Sequence, residues 1–232
     1  YLAYLDVISA VIPRKLDDLE PRVRRLTELS SRFDDGALSA LTLIAQGLDA
    51  MLHARLSDGY GLIDEAMLSV LADRVPIEWA GEIYCIVLHQ CHQVGDLPRM
   101  RAWTQSMTQW CDAAGAVPYG GVCEVHQLQL QEGSDGYRQI EDRLLAVSNR
   151  LSSINARAAA EGFYQLGEVR RQLGDSDGAL AAFATVRDLG LEPQPGEALL
   201  RCRLGDKQGA WAGLRLALVG RHAIDRMRLV RG

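Results

Sequence analysis

Apolar side chains recur three and four residues apart along nearly the whole chain, the period of a helix with one buried face. No stretch alternates apolar and polar residues with the period of two that marks a half-buried strand. The pattern predicts paired helices near 36–56 and 58–73, 78–95 and 97–114, 119–132 and 137–151, 155–173 and 176–190, and 194–204 and 207–219. Turn-forming clusters separate them at Asp34-Asp35-Gly36, Val75-Pro76, Gly115 to Pro118, Gly133 to Gly136, and Glu192 to Gly196. Two further helices precede the pairs. The second covers about 14–33, with Leu16, Leu19, Val23, Leu26, Leu29 and Phe33 on one stripe, and Pro21 either kinks it or starts a fresh turn. The tail from Arg221 places Ile224 and Met227 on one stripe with either Val230 or Arg231, like the first helix of a repeat whose second is missing. Together with a start at Tyr1, this leads us to expect a piece of a larger multidomain protein.

The pairs share one frame of about 40 residues. In 160–193 it carries Phe163, Leu166-Gly167, the turn Gly174-Asp175, then Ala179 and Phe183. With Phe163 as the fourth position, positions 20, 24 and 27 are Ala179, Phe183 and Val186. The same positions recur as Gly59, Ile63 and Ala66; Met100, Thr104 and Met107; Ile140, Leu144 and Val147; and Ala210, Leu214 and Ala217. Two antiparallel helices joined by a tight turn need a small residue where they cross, which Gly47 and Gly167 supply at position 8, with Gly167 expected against the Ala179 region of position 20. Frames three and five are weaker, with Glu124 and Gln194 where Tyr84 and Phe163 place rings. This order and spacing resembles the tetratricopeptide repeat, and implies an all-α, right-handed helical solenoid of about five helix pairs plus flanking helices. We expect a single helical-repeat domain over 1–232, with repeats near 36–73, 78–114, 119–151, 155–190 and 194–219. A solenoid of this kind points to a binding surface rather than an active site.

Composition narrows the reading further. Five cysteines, Cys85, Cys91, Cys111, Cys123 and Cys202, are odd in number and form no C-x-x-C pair, which argues for reduced thiols in a cytoplasm. The formal charge is -5, yet 8 Lys or Arg face 2 acids from Leu200 onward. A solvated helical face or a domain boundary accounts for that basic end, and no nucleic-acid recognition motif accompanies it. No apolar stretch reaches the roughly 20 residues needed to span a bilayer, so no membrane partner is expected.

Local wording adds a family resemblance. The segments GLIDEAML (61–68), AGEIYC (80–85), WTQSMTQWC (103–111), VPYGGVCEVH (117–126), GFYQLGEVRRQLGD (162–175) and EPQPGEALLR (192–201) together resemble the tetratricopeptide region of actinobacterial LuxR-family regulators. Those are large proteins similar in plan to the maltose-system activator, with an ATP-binding domain, a helical repeat region and a C-terminal helix-turn-helix. The resemblance covers about 36–217 and implies a sensing and interaction domain whose partners include the ATPase and DNA-binding domains of the same parent chain. This chain departs from that plan in lacking a G-x-x-x-x-G-K-[ST] phosphate loop and a terminal helix-turn-helix, and in a longer loop at QEGSDGY (131–137). The alternative function is a tetratricopeptide scaffold that holds a protein partner with no role in transcription.

In tetratricopeptide arrays the first helix of each pair lines the concave groove through positions 2, 5, 9 and 12. Here these are Glu82, Cys85, His89 and His92; Val122, Val125, Gln129 and Glu132; and Glu161, Tyr164, Glu168 and Arg171. Nine of these form the candidate groove for a protein or small-molecule effector: Glu82, Cys85, His89, His92, Gln129, Glu161, Tyr164, Glu168 and Arg171. The plain alternative is a solvated face. Two histidines beside Glu82 would make binding pH-sensitive near neutrality. Cys85, His89 and His92 share a spacing zinc tolerates, but such spacing arises by chance in helices, so no metal and no other cofactor is expected. Cys91 falls on a packing position, and Trp103 and Trp110 read as packing between repeats. Asp175-x-Asp177-Gly178 lacks the rest of a calcium loop. No catalytic motif accompanies these residues, so enzyme activity is not expected, and homo-oligomerisation stays open.

Overall fold

The computed structural model describes residues 1–11, 19–115, 117–131 and 136–218, with the backbone alone at 117–120. Among the described residues are twelve helices and no strand. In chain order they are α1 (Leu2–Val11), α2 (Leu19–Ser30), α3 (Gly36–Leu52), α4 (Leu56–Leu71), α5 (Ile77–Val94), α6 (Leu97–Ala114), α7 (Val117–Gln129), α8 (Tyr137–Leu151), α9 (Ala156–Leu173), α10 (Ser176–Asp188), α11 (Gly196–Arg203) and α12 (Lys207–Leu218). They fall into two compact units. One runs over Tyr1–Val94 with α1 to α5, and the other from Gly95 onward with α6 to α12.

Helix ends follow local chemistry. Asp35 caps α3 by accepting from the Ala37 and Leu38 amides at 3.0 Å each, and Asn155 caps α9 through the Ala158 amide at 3.0 Å. A Gly-Asp pair leads into each of α6, α10 and α12. Gly95, Gly174 and Gly205 take φ of 70°, 85° and 87°, and Asp96, Asp175 and Asp206 then accept from the amides of Arg99, Gly178 and Gly209 at 3.1, 2.9 and 2.8 Å. All three pairs occupy positions 15 and 16 of the frame. Asp175 and Gly178 thus form a helix cap, which accounts for the calcium-like wording of that turn.

The frame places the core. Positions 20, 24 and 27 are buried in every repeat except at Leu214, which is half-buried. Within the first unit α3 packs on α4, and α1 and α2 pack on each other and on α3. Within the second, α9 packs on both α8 and α10, α7 on α8, and α11 on α12. This is the neighbour-on-neighbour packing of a tetratricopeptide-like α-α repeat. Cys91 lies in the core, as its position predicts.

One detail refines the sequence expectation and another differs from it. Gly167 lies against the Phe183 ring, one turn along α10 from Ala179: a β-carbon on Gly167 would sit 2.9 Å from Phe183 Cζ and closer still to Cδ1 and Cε1. The bulky ring fills the crossing, so the glycine makes room for position 24. Phe33 lies beyond the end of α2 and is exposed, because the helix stops at Ser30 and the stripe stops with it. Pro21 stands in the first turn of α2, where its missing N–H costs no helical bond. Arg14, Leu16, Glu132 and the tail from Arg221 lie outside the described residues.

Candidate functional site

The predicted lining residues fall on three helices in two units. In the first unit, α5 begins after Pro76 and turns Ala80, Ile83, Tyr84, Val87, Leu88, Cys91 and Val94 into the core. That leaves Glu82, Cys85 and His92 half-buried along one stripe, while His89 of the same stripe is buried. One turn before Glu82, Trp79 stacks on Tyr1 with ring centroids 5.1 Å apart and meets Tyr4 edge-on at 5.8 Å. The Tyr4 hydroxyl is buried, and burial pushes its pKa well up, with the Glu82 carboxylate adding to the effect. The stripe on α5 is therefore bordered by the aromatic rings of Tyr1 and Tyr4, a neighbourhood that sequence spacing did not reveal.

In the second unit the stripe is more enclosed. Val122, Val125 and Gln129 of α7 are buried. Gln129 Oε1 lies 2.9 Å from His126 Nδ1, and its Nε2 is buried with no protein partner among the described residues. On α9, Glu161 is buried 3.7 Å from the Arg157 guanidinium. The Tyr164 hydroxyl accepts from the Gly196 amide at 3.3 Å, and its ring tilts against Phe183 at 5.9 Å. Glu168 and Arg171 form an ion pair at 2.7 Å, both largely shielded from solvent, and Arg203 donates to the Arg171 carbonyl at 2.9 Å. The α9 stripe thus runs beneath the start of α11.

Just beyond it lies a charge cluster that the sequence did not single out. Glu197 is buried, and Arg187 from α10 and Arg201 one turn along α11 both donate to its carboxylate. The Glu197 to Arg201 spacing of four was the available signal. A shallow depression of about 330 Å³ opens elsewhere, lined by Gly136, Tyr137, Arg138, Gln139 and Leu173, and contains none of the stripe residues. Among the described residues no three His, Cys, Asp or Glu side chains are grouped to hold a metal ion. No helix among them is long and apolar enough to cross a membrane.

No protein-family model and no curated protein matches the sequence. Among solved structures the chain is similar to NprR, seen in a crystal structure of NprR in complex with its cognate peptide NprX. The TM-score is 0.67 at 14% identity, over 94% of this chain and 66% of that one. This chain therefore spans just under two thirds of the NprR chain. Identity that low carries the fold and nothing finer, and the fold is the all-α, tetratricopeptide-like helical repeat that the frame predicts.

Proposed function

We propose that this chain is a ligand-sensing and protein-interaction domain that receives an extended peptide or protein segment, with α5 as the helix that receives it. The observation that carries the reading is its likeness, across 94% of its length, to a helical protein crystallised with a cognate peptide. A stripe on α5 supports it, since Glu82, Cys85 and His92 share one helical face and are partly accessible. An extended segment presents backbone donors and acceptors at regular intervals, which such a stripe can satisfy. In the second unit, Gln129, Glu161, Tyr164, Glu168 and Arg171 form a separate candidate stripe on α7 and α9, with the Glu168–Arg171 pair its most accessible part.

We further propose, from the wording shared with the tetratricopeptide region of LuxR-family regulators, that the domain belongs to a cytoplasmic transcription regulator. Occupation of the stripe would then bias docking on the ATP-binding and DNA-binding domains of a parent chain, by binding one state more tightly than the other. Fluorescence anisotropy with short synthetic peptides of acidic, neutral and basic composition tests the receptor reading. Glu82→Gln together with His92→Gln should weaken the tightest peptide by about tenfold or more, with the melting temperature nearly unchanged. Full retention of binding by that double variant would move the site off α5. The regulator reading is tested separately by the coding sequence on either side, which should encode a phosphate loop upstream and a helix-turn-helix downstream.

A further inference from the structure

All five cysteines are reduced thiols, and two of them face each other. Cys111 near the end of α6 and Cys123 in the middle of α7 bring their Sγ atoms to 3.7 Å. The surrounding register is fixed, because one turn away Gln127 of α7 donates to Thr108 Oγ1 of α6 at 2.8 Å, and Thr108 donates to the Thr104 carbonyl at 2.9 Å. Residues 108 and 111 of one helix thus meet 127 and 123 of an antiparallel neighbour. A disulfide needs its sulfurs at about 2.05 Å, so small side-chain rotations close the gap without moving either helix far. Cys111 is half-buried and Cys123 buried, so an incoming oxidant meets Cys111 first.

We propose that Cys111 and Cys123 form a reversible intramolecular disulfide on exposure to hydroperoxide, locking α6 to α7. Cys111 Sγ gives up its proton and attacks one peroxide oxygen. The O–O bond breaks, leaving a sulfenic acid on Cys111 and, from hydrogen peroxide, one water. Cys123 Sγ then loses its proton and attacks the Cys111 sulfur; the S–O bond breaks and the departing hydroxide takes up that proton as a second water. Two thiols and one peroxide become one disulfide and two waters. Burial pushes both thiols up, Cys123 to about 12, with the neighbouring thiol and Asp112 adding to the effect there. Little thiolate is present near neutrality, so the pair responds to sustained oxidant and is unlike the low-pKa thiols of redox catalysts. The bond would join the second helix of one repeat to the first helix of the next, and so stiffen the array at that junction.

Trypsin provides a direct readout, since residues 102–138 form one peptide holding Cys111 and Cys123 and no other cysteine. The dilute full-length chain is treated with hydrogen peroxide, quenched, alkylated with iodoacetamide under denaturing conditions, digested and weighed. The expected peptide is lighter by two hydrogens, carries no alkyl label, and regains both labels after dithiothreitol. The melting temperature should rise on oxidation and fall back on reduction. Cys123→Ala should abolish both changes and leave a Cys111 sulfenic acid that dimedone traps; Cys111→Ser, at the more exposed site, provides a second variant. A peptide still fully alkylated after exposed Cys202 has been oxidised would overturn the proposal. So would Cys111 linked to Cys202, or converted to sulfinic acid beside an alkylatable Cys123.

Discussion

The α3–α4 and α9–α10 pairs have the same frame and nearly the same turn, yet hold it by different means. In α9–α10 the turn is written locally, with Gly174 at φ 85° and Asp175 capping the next helix. In α3–α4 the equivalent positions are Ala54, at φ 62°, and Arg55, which offers no side-chain cap. An alanine in the left-handed region costs roughly 1–2 kcal/mol, so something else must hold it there. The crossing supplies that restraint. Gly47 and Gly59 bring the two backbones together so closely that a β-carbon on either would lie 3.0 or 2.9 Å from the other's carbonyl oxygen. In α9–α10 the corresponding room beside Gly167 is taken by the Phe183 ring. Where the crossing is backbone on backbone, tertiary packing dictates the turn; where it is ring on glycine, the turn dictates itself.

The largest effect should come from the ring crossing. Gly167→Leu puts a branched side chain where Phe183, fully buried, already sits. Overpacking of that kind costs about 1–3 kcal/mol, which urea denaturation resolves as a lowered midpoint. An unchanged midpoint would mean that the Gly167–Phe183 contact does not constrain the pair. Next comes the turn itself. Nothing lies within 4 Å of a β-carbon placed on Gly174, so Gly174→Ala tests backbone strain alone and should cost about 1–2 kcal/mol.

Sequence periodicity made the frame legible because burial at positions 20, 24 and 27 depends on helical spacing and side-chain size, both written in the residues. The Gly174-Asp175 turn was legible for the same reason: glycine tolerates positive φ and aspartate caps. Ala54 carried no such signal, since alanine enters the left-handed region only when packing forces it. For the candidate stripe the sequence offered polar residues at spacings that share a helical face. Its degree of enclosure was not legible, because Tyr164 and Glu168 are covered by the start of α11, a tertiary event that spacing within α9 does not encode. The Cys111–Cys123 approach was hidden similarly, as it depends on the register of α7 against α6.

If the first turn is held by its crossing, giving it the sequence of the fourth should relieve it. Ala54→Gly with Arg55→Asp removes the left-handed strain and adds a cap worth about 1 kcal/mol. It also adds about 0.4–1 kcal/mol of glycine entropy to the unfolded chain and loses the exposed Arg55–Asp49 pair at 3.5 Å. The net gain should be about 1 kcal/mol, read as a raised urea midpoint. A loss of stability would show that Ala54 is not strained in place.

The smallest effect sharpens the contrast at the start of α3. Asp35 accepts from two amides, and its Oδ2 also accepts from the Tyr1 hydroxyl at 2.8 Å. The Leu38 amide first, then Tyr1, hold its carboxyl below the usual carboxylate value. A lowered folded value means that the unfolded chain takes up a proton first as acid is added. Asp35 therefore adds stability above the ordinary value of about 3.9, and that increment disappears as pH falls through the lower folded value. Asparagine keeps the cap, since its carbonyl accepts from the same amides, but it cannot titrate. Asp35→Asn should accordingly differ by only a few tenths of a kcal/mol at neutral pH and show a shallower decline in urea midpoint below about pH 4. Parallel acid profiles for the two proteins would mean that the carboxylate of Asp35 is not engaged by those donors, and that α3, like the turn after it, is set by packing rather than by its own cap.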